Sequence, residues 1–374
     1  MKDKLAMRLF FLLILLFLSL ETLSQISSDS DIKWTKTELE QHWKRRIESF
    51  LEKDIIPIID MESTISDEQS LQLNNPLVLK KMDSLGIALI AFDVNQAPSS
   101  GSGTAGGYRW GYHMHEFVNE YPDRFILTSN AGISPNWRNQ KTDMIQQTEE
   151  HVRTGKYALM GEFEFRHYVS QDECKNKRFD REVDIPLNSP NGHRLFSLSA
   201  ETGVPFLIHN EPEDDRLEVL SEMLEKYPKA KVIQAHFGQI RYPQKQTKFN
   251  VEYVRNLLNK YPNLFFDISI GEPGRIYDCQ QQHVLDTVIW EPTIFGQKDR
   301  IKPEYLAIFV DFSDRFVSGM DYGGGGPPLP LFWEWRARNI RLILRDLPEQ
   351  VQHKIAYKNA WRLLTGKNYE PRSK

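Results

Sequence analysis

Cysteine is almost absent from this sequence, which has only Cys174 and Cys279 in 374 residues. Neither residue belongs to a CxxC motif or a Cys/His cluster, which argues against a metal site built from thiolates. The two thiols could form a disulfide in an exported protein, but a sequence cannot place two cysteines side by side. Their pairing therefore stays open at this point.

Extended stretches of positive charge are also missing. The chain carries 47 Lys and Arg against 51 Asp and Glu, a net charge of −4, and the two signs are mixed along its length. Without a basic stripe, nucleic acid and anionic membrane surfaces are poor candidate partners. The composition is that of an ordinary globular protein, for which we expect a small-molecule substrate; a homo-oligomer is not excluded.

A continuous apolar run of 12 residues occurs at the N-terminus, at positions 9–20. Lys2, Lys4 and Arg8 precede it, and small residues up to Ser24 follow it, an order typical of a secretory signal peptide. The run is short for a bilayer span. We expect cleavage near Ser24, export to the periplasm or beyond, and no stable membrane anchor afterwards; an uncleaved anchor is the alternative.

The rest of the chain alternates short apolar runs with helical patterns. The predicted strands cover residues 55–60, 87–93, 124–129, 158–165, 205–209, 231–236, 264–270 and 316–319. They are rich in Ile, Val, Leu and Phe with little polar alternation, which is typical of parallel strands buried on both faces. Tyr-Pro pairs at 121–122, 227–228 and 261–262 each end a helical stretch before a strand. Eight such units predict an α/β fold, a distorted (β/α)₈ barrel with long βα loops.

The predicted organisation is a signal peptide at 1–24, a leader and helix at 25–54, the barrel at 55–366 and a tail at 367–374. Residues 95–108, 166–190 and 271–299 are the predicted long loops at the mouth. The first contains a G-x-G-x-x-G match at 101–106, but these glycines do not directly follow a strand, as a dinucleotide site requires.

Three metal-capable residues lie where predicted strands end. His209 and His236 each close an apolar run, and Asp321 follows the last one. The carboxyl ends of barrel strands share one active site, and neutral imidazole is a common zinc ligand. Asp321 could bind a metal or accept a proton from a metal-bound water. The alternatives are two core histidines bonded to backbone and a turn-forming aspartate.

Two further strands carry carboxylates. Glu162 and Glu164 alternate within an apolar strand, where buried charges need a partner or a metal, so at least one is expected to be a ligand or an acid/base; a barrel ion pair is the alternative. Asp60 and Glu62 lie at the exit of the first strand, and Glu62 could be a ligand, a neighbour of the ligands or a helix cap. His113 could reach substrate, but the HxH spacing with His115 falls on a helix, which turns the two side chains apart.

The sequence resembles the amidohydrolase superfamily, in its TIM-barrel branch of metal-dependent hydrolases and decarboxylases. The resemblance rests on IIPIID, LIHNEP, IQAHFG, RFVSGMDYG and the closing helix HKIAYKNAWRLLTG, in this order from about residue 55 to 366. It implies a distorted barrel with a divalent metal at its mouth. By position, His209 and His236 would be the fifth- and sixth-strand ligands, and Asp321 the residue that handles the proton of the nucleophilic water.

One departure from the family pattern affects the metal count. The first strand of the family ends in Asp-x-His-x-His, whereas this chain has Glu62 and Thr64 at the histidine positions. We therefore expect one divalent ion, Zn²⁺, held by His209, His236 and Glu162. The predicted function is hydrolysis of a C–N, C–O or P–O bond.

Two alternatives to hydrolysis stay open. One is a non-oxidative decarboxylase, in which Arg241 or Arg275 would bind the substrate carboxylate. The other is a barrel that has lost catalysis and only binds ligands.

Overall fold

The structure is a computed structural model that describes residues 32–66, 71–95, 112–129, 144–270, 274–280, 283–291, 300–323 and 328–371. The predicted signal peptide and the glycine-rich match at 101–106 lie outside these residues. Within the described ranges, no helix combines the length and the apolar character that a bilayer span requires.

Eight parallel strands form the central sheet. They are β1 (Ile58–Ser66), β2 (Ile87–Asn95), β3 (Phe125–Ser129), β4 (Leu159–His167), β5 (Phe206–Asn210), β6 (Val232–Gln234), β7 (Leu264–Asp267) and β8 (Phe316–Val317). Each strand pairs with the next one in the chain. The sheet closes on itself where Tyr322–Gly323 pairs with β1 and the Met61 amide donates to the Ser318 carbonyl at 3.0 Å. The predicted (β/α)₈ barrel is confirmed.

Most strands end a few residues from their predicted positions, and two of these differences concern the candidate site. β1 was predicted to end at Asp60, but it continues to Ser66 because it has hydrogen-bonding partners on both sides, β2 and Tyr322–Gly323. β6 ends at Gln234, before His236, whose backbone has a φ of +59° that a strand does not accommodate. Both differences move side chains at the mouth, where the candidate site lies.

Nine helices of nine or more residues surround the described part of the sheet. They are α1 (Lys36–Leu51), α2 (Pro76–Ser84), α3 (Tyr112–Glu120), α4 (Met144–Arg153), α5 (Pro190–Thr202), α6 (Asp214–Lys226), α7 (Val251–Lys260), α8 (Pro303–Asp311) and α9 (Leu329–Arg345). The Tyr-Pro stop signals agree with this pattern, since α3, α6 and α7 each end one residue before the tyrosine. Side-chain caps fix several starts, such as Ser189 on α5 and Asn250 on α7.

The core continues from the barrel into its helical shell. Trp43 and Ile47 of α1 are fully buried in the same apolar cluster as the strands, so the N-terminal helix packs on the barrel. On the opposite side, Phe237 packs edge to face against Phe309 and Phe316 with ring centroids 5.6 and 5.0 Å apart. Burial of one such side chain contributes about 1.5–3 kcal/mol, so these contacts hold the shell on the sheet.

The loops at the mouth are cross-linked. Cys174 and Cys279 form a disulfide, which joins the loop after β4 to the loop after β7. Ser170 and Tyr277 form a β-bridge beside it, and Gln239–Ile240 pairs antiparallel with Asp286–Thr287. Three of the loops around the site are therefore fastened to one another and not only to their own strands.

The C-terminal helical segment holds β8 in place. It comprises Glu349–His353, a π-helical turn at Lys354–Lys358, and Asn359–Thr365. The buried Asn359 amide donates to the Ser313 carbonyl at 2.7 Å and to the Phe316 carbonyl at 2.8 Å. These two hydrogen bonds fix the start of β8, the strand that leads to Asp321.

Asn359→Ala should lower the thermal midpoint by about 5 °C, because two buried carbonyls lose their donor, a loss of about 1–3 kcal/mol. Gln350→Ala, at an exposed position of the same segment, is the control and should leave the midpoint within about 1 °C. Circular dichroism on both variants checks this. Equal midpoints would show that Asn359 does not fasten β8.

Candidate metal centre

Two imidazoles meet at the mouth of the barrel. His209 lies in β5 and His236 follows β6, and both are at least 93% buried. His209 Nδ1 and His236 Nε2 are 3.1 Å apart. The structure thus brings together the two histidines that the sequence places at separate strand ends.

In each ring, the nitrogen that faces away from the other histidine has a hydrogen-bond partner, and this partner determines the tautomer that we assign. His236 Nδ1 lies 2.9 Å from the Ser269 carbonyl, an acceptor, so Nδ1 carries the proton. His209 Nε2 lies 3.0 Å from the Glu211 carboxylate, which accepts a hydrogen bond from it. The Arg241 guanidinium is close to the same nitrogen, but it has its own acceptor in Glu211 at 2.9 Å. The two facing nitrogens, His209 Nδ1 and His236 Nε2, are therefore the ones that can bind a cation once they carry no proton.

Glu162 supplies an oxygen at the same point. Its Oε1 lies 2.9 Å from His209 Nδ1 and 3.5 Å from His236 Nε2. Burial raises the pKa of Glu162, but the hydrogen bonds to the two histidines outweigh it and hold the pKa well below its usual range. Gly161 allows this approach, since its φ is +93° and a Cβ there would lie 2.5 Å from the Leu207 carbonyl oxygen.

A second group of side chains borders His236 on strands β1 and β7. Glu62 Oε1 lies 3.7 Å from His236 Nε2, and Asp267 Oδ1 accepts a hydrogen bond from the His236 amide at 2.9 Å. Ser269 Oγ contacts both carboxylates. Gly319 leaves room for them, because a Cβ at this position would lie 3.1 Å from the Glu62 Cβ.

Three other carboxylates near the site are paired with arginines. Arg181 binds Glu164 through both guanidinium nitrogens, Arg241 binds Glu211, and Arg336 binds Asp321 at 3.2 Å. Glu62, Glu162 and Asp267 form no ion pair with lysine or arginine in the described part of the chain. The inner site therefore has an excess of negative charge.

This excess is reflected in the pKa of His236. Burial lowers that pKa, but Asp321 and Glu162 outweigh burial and raise it to about 9. The pKa of Glu62 is raised well above its usual value by burial and by repulsion from Asp267. Two imidazole nitrogens and a carboxylate oxygen at one point, with acids around them that no lysine or arginine compensates, fit a divalent cation. The donor atoms of Glu162, His209 and His236 all lie within 4.8 Å of one another.

Asp321 and Asp60 lie on either side of the barrel closure. Asp321 has a φ of +50° and its side chain is 29% exposed, so it lies at the mouth, and it is close enough to His236 to raise the pKa of that imidazole. Asp60 is fully buried and accepts hydrogen bonds from the amides of Glu62 at 3.0 Å and Met320 at 2.8 Å. Burial raises the pKa of Asp60 to about 7. Asp60 thus positions Glu62 and contributes no donor atom to either ligand cluster found among the described residues.

The predicted substrate-binding residues lie in different environments. Arg241 is buried beside the site and stacks over the Tyr277 ring at 4.9 Å. Arg275 lies over the same ring at 5.5 Å and donates to Ser170 Oγ at 3.2 Å. His113 belongs to α3, but its side chain lies outside the described residues. Neither arginine is free of protein contacts.

Several site residues were missed in the sequence. Asp267 ends an apolar strand just as His209 does, so the same pattern could have revealed it. Glu211 follows His209 by two residues, and no apolar run ends at it, so the sequence indicated its place in the site less clearly. Arg181 and Arg336 come from a loop and from α9, and no local pattern marks them. His167 packs against His209 with ring centroids 4.9 Å apart, and burial and Arg181 lower its pKa well below the usual value.

A family model described as amidohydrolase matches residues 169–365, which is more than half of the chain. No curated protein shows a significant match.

Several solved structures resemble the barrel. A Staphylococcus aureus protein assigned to the amidohydrolases is 14% identical over 82% of this chain and 99% of its own, with a TM-score of 0.47. A 2,6-dihydroxybenzoate decarboxylase from Rhizobium is 13% identical over 83% and 99%, with a TM-score of 0.45. Dihydroorotase from Campylobacter jejuni is 12% identical over 84% and 85%, with a TM-score of 0.46.

The thermal stability of chelator-treated protein should fall as the pH rises from about 5 to about 9. Asp60, Glu62 and His236 all have raised pKa values in the folded state, so the stability that they contribute is present at low pH and is lost as they deprotonate. Glu162 has the opposite shift, but its contribution is lost only at more acidic pH.

Glu62→Gln should make this pH dependence shallower, because one of the repelling carboxylates is gone. Glu222→Gln, on the exposed side of α6, is the control and should keep the wild-type slope. Thermal midpoints measured at intervals of one pH unit test both statements. A midpoint in chelator that does not change over this pH range would contradict the charge excess.

Proposed function

Because the chain belongs to the amidohydrolase family, we propose that it is a metal-dependent hydrolase that cleaves a C–N, C–O or P–O bond of a small substrate. One observation carries the proposal: His209 Nδ1, His236 Nε2 and the Glu162 carboxylate converge on one point.

His209, His236 and Glu162 would hold one divalent ion. Two imidazole nitrogens and a carboxylate oxygen are the ligand set of many catalytic zinc sites, which leads us to propose Zn²⁺. When bound, the ion would polarise the oxygen of the scissile group and acidify a water molecule. Glu211 and the Ser269 carbonyl hold the far nitrogens of the two rings, which keeps both imidazoles oriented.

Asp321 is the proposed proton acceptor. Arg336 binds its Oδ2 at 3.2 Å, and in the described part of the chain no residue hydrogen-bonds its Oδ1. The arginine thus fixes the carboxylate while one oxygen stays open at the mouth, where a water molecule and a substrate can reach it. Asp321 would take the proton of the attacking water and pass it to the leaving group.

The geometry favours hydrolysis over decarboxylation. The decarboxylase alternative places the substrate carboxylate on Arg241 or Arg275, but Arg241 is already paired with Glu211 at 2.9 Å. Arg275 is turned to Ser170 and Tyr277. A ligand-binding barrel without catalysis is not favoured either, since such a barrel would not need an oriented acid at the mouth.

Export is part of the proposal. The basic and apolar N-terminus is one support for it. The Cys174–Cys279 disulfide is a second support, because disulfides persist mainly in oxidising compartments.

Measurements of metal content and activity should distinguish the proposed metal ligand His209 from the proposed proton acceptor Asp321. His209→Ala should lose the bound ion, measured by elemental analysis of purified protein, together with activity. Asp321→Asn should keep the ion but lower kcat about 10²–10⁴-fold, because only the proton acceptor is removed. The activity assay is a panel of small esters, lactones, amides and phosphotriesters, with carbon dioxide release from aromatic acids as the test for a lyase.

His193→Ala and Asp311→Asn, both outside the site, are the matched controls and should retain metal and activity. Wild-type protein without an ion, or with full activity after His209→Ala, would refute the mechanism. Carbon dioxide release without hydrolysis would assign the site to a lyase.

A further inference from the structure

We propose that the Cys174–Cys279 disulfide is a redox latch on the substrate pocket. In the oxidised protein it fastens the loop after β4 to the loop after β7, and its reduction loosens this side of the mouth and weakens substrate binding while the ion stays bound. The inference rests on the proposed function and extends it to the control of substrate binding. Residues 168–178 and 274–280, which the disulfide joins, are called the cross-linked wall below.

The first support is that the disulfide can be reached from solvent. Cys279 is exposed and Cys174 is half-buried, and exposed polar residues such as Lys175 and Gln280 lie next to them in the chain. Exposed disulfides are the ones that exchange readily with thiols, whereas structural disulfides of exported proteins resist reduction. A thiol of another molecule can therefore react with this bond while the barrel stays folded.

The second support is that few apolar residues hold the cross-linked wall. Its apolar contacts form a cluster separate from the main core, made of Tyr168, Tyr277 and Leu285 with Tyr242 packed against them. Across the two loops, the Asp278 amide donates to the Val169 carbonyl at 2.8 Å, and Arg275 donates to Ser170 Oγ at 3.2 Å. A region with few buried apolar contacts opens locally at a low cost in free energy, so the disulfide contributes much of what keeps the wall closed.

The third support is a contact between the cross-linked wall and the arginine beside the metal centre. Tyr277 lies two residues before Cys279 and is 1% exposed, and the Arg241 guanidinium lies over its ring at 4.9 Å. Arg241 binds Glu211 at 2.9 Å and lies 3.0 Å from His209 Nε2. The wall thus covers the side of the metal centre on which Arg241 lies, and an open wall would take the aromatic ring away from this arginine.

The Cys174 end of the disulfide reaches the site through a second arginine. Glu173, the preceding residue, binds Arg181 Nε at 3.2 Å. Arg181 in turn binds Glu164 on β4 through both of its terminal nitrogens. Each end of the disulfide is therefore close in sequence to a residue that contacts an arginine of the mouth. Opening of the latch would free both arginines to move at once.

The latch closes by thiol–disulfide exchange. The two thiols lose two electrons and two protons and become the disulfide, while the disulfide of an oxidising partner is reduced to two thiols. A dithiol drives the reverse reaction. With the proposed export, the cross-linked wall would be fastened only after the chain has left the reducing cytoplasm. Glu162 and His209 lie in strands and His236 directly follows one, so we expect the ion to stay bound in the reduced protein.

Reduction of the zinc-loaded protein with a water-soluble phosphine tests the latch. The reduced protein should keep one equivalent of Zn²⁺ and most of its kcat, whereas KM for a substrate of the panel should rise about tenfold. In hydrogen exchange, the Asp278 amide should exchange faster after reduction, and the amides of β5 should not change. The double variant Cys174→Ser/Cys279→Ser should behave like reduced wild type and should not respond to the phosphine.

Tyr277 offers a test that leaves the disulfide intact. Tyr277→Ala should raise KM as reduction does, because Arg241 loses the ring beneath it, and Tyr277→Phe, which restores a ring, should rescue KM. If Tyr277→Ala fails to fold, the reduction of wild-type protein remains decisive.

Three results would overturn the latch. They are an Asp278 amide that exchanges at the same rate in both redox states, an unchanged KM in the reduced protein, and loss of Zn²⁺ on reduction, which would place the effect on the metal ligands. The exchange measurement needs no substrate, so it decides the question even if the activity panel finds none. Failure of the oxidised wild-type protein to bind Zn²⁺ would instead refute the proposed function.

Discussion

The site depends on the closure of the barrel, and a buried aspartate makes this closure. The Asp60 carboxylate accepts hydrogen bonds from the amides of Glu62 on β1 and Met320 after β8. The Asp321 amide then donates to the Glu62 carbonyl at 2.9 Å. These bonds hold the first and last strands in one register, because a shift of either strand would remove the Met320 donor from the buried Asp60 carboxylate. Glu62 and Asp321 face the mouth together for this reason.

Closure of the barrel also brings three carboxylates close together, and a bound cation would compensate their charge. Strands β1, β4 and β7 each direct a carboxylate to the neighbourhood of His236, and none of the three forms an ion pair with a lysine or arginine of the described residues. Repulsion among them would favour opening of the mouth in the metal-free protein. An ion that binds only the folded chain would therefore link metal binding to stability as well as to activity.

The sequence was most informative where a single local pattern determines the structure of a segment. Apolar runs and Tyr-Pro stops predicted all eight strands and the ends of three helices, because burial on both faces and the geometry of proline act locally. His209 and His236 were found for the same reason. The inner pair of Glu62 and Asp267 depends on contacts between β1 and β7, 205 positions apart in the chain, so their proximity could not be predicted from either segment alone. The pairing of Glu164 with Arg181 likewise depends on the path of a loop.

The acids of the site fall into two classes that have different structural origins. The acids without lysine or arginine partners lie on strands or directly after them, and their positions follow from the barrel itself. The acids with arginine partners also lie on strands or after them, but their pairing depends on loops and helices, because Arg181 and Arg241 come from loops at the mouth and Arg336 comes from α9. The loop that carries Arg181 also carries the Cys174 end of the disulfide. Substitutions in these loops can therefore change the shape and charge of the substrate pocket without moving the inner donors. Metal binding and substrate selection would then be physically separable in this barrel, with the strands responsible for the first and the cross-linked loops for the second.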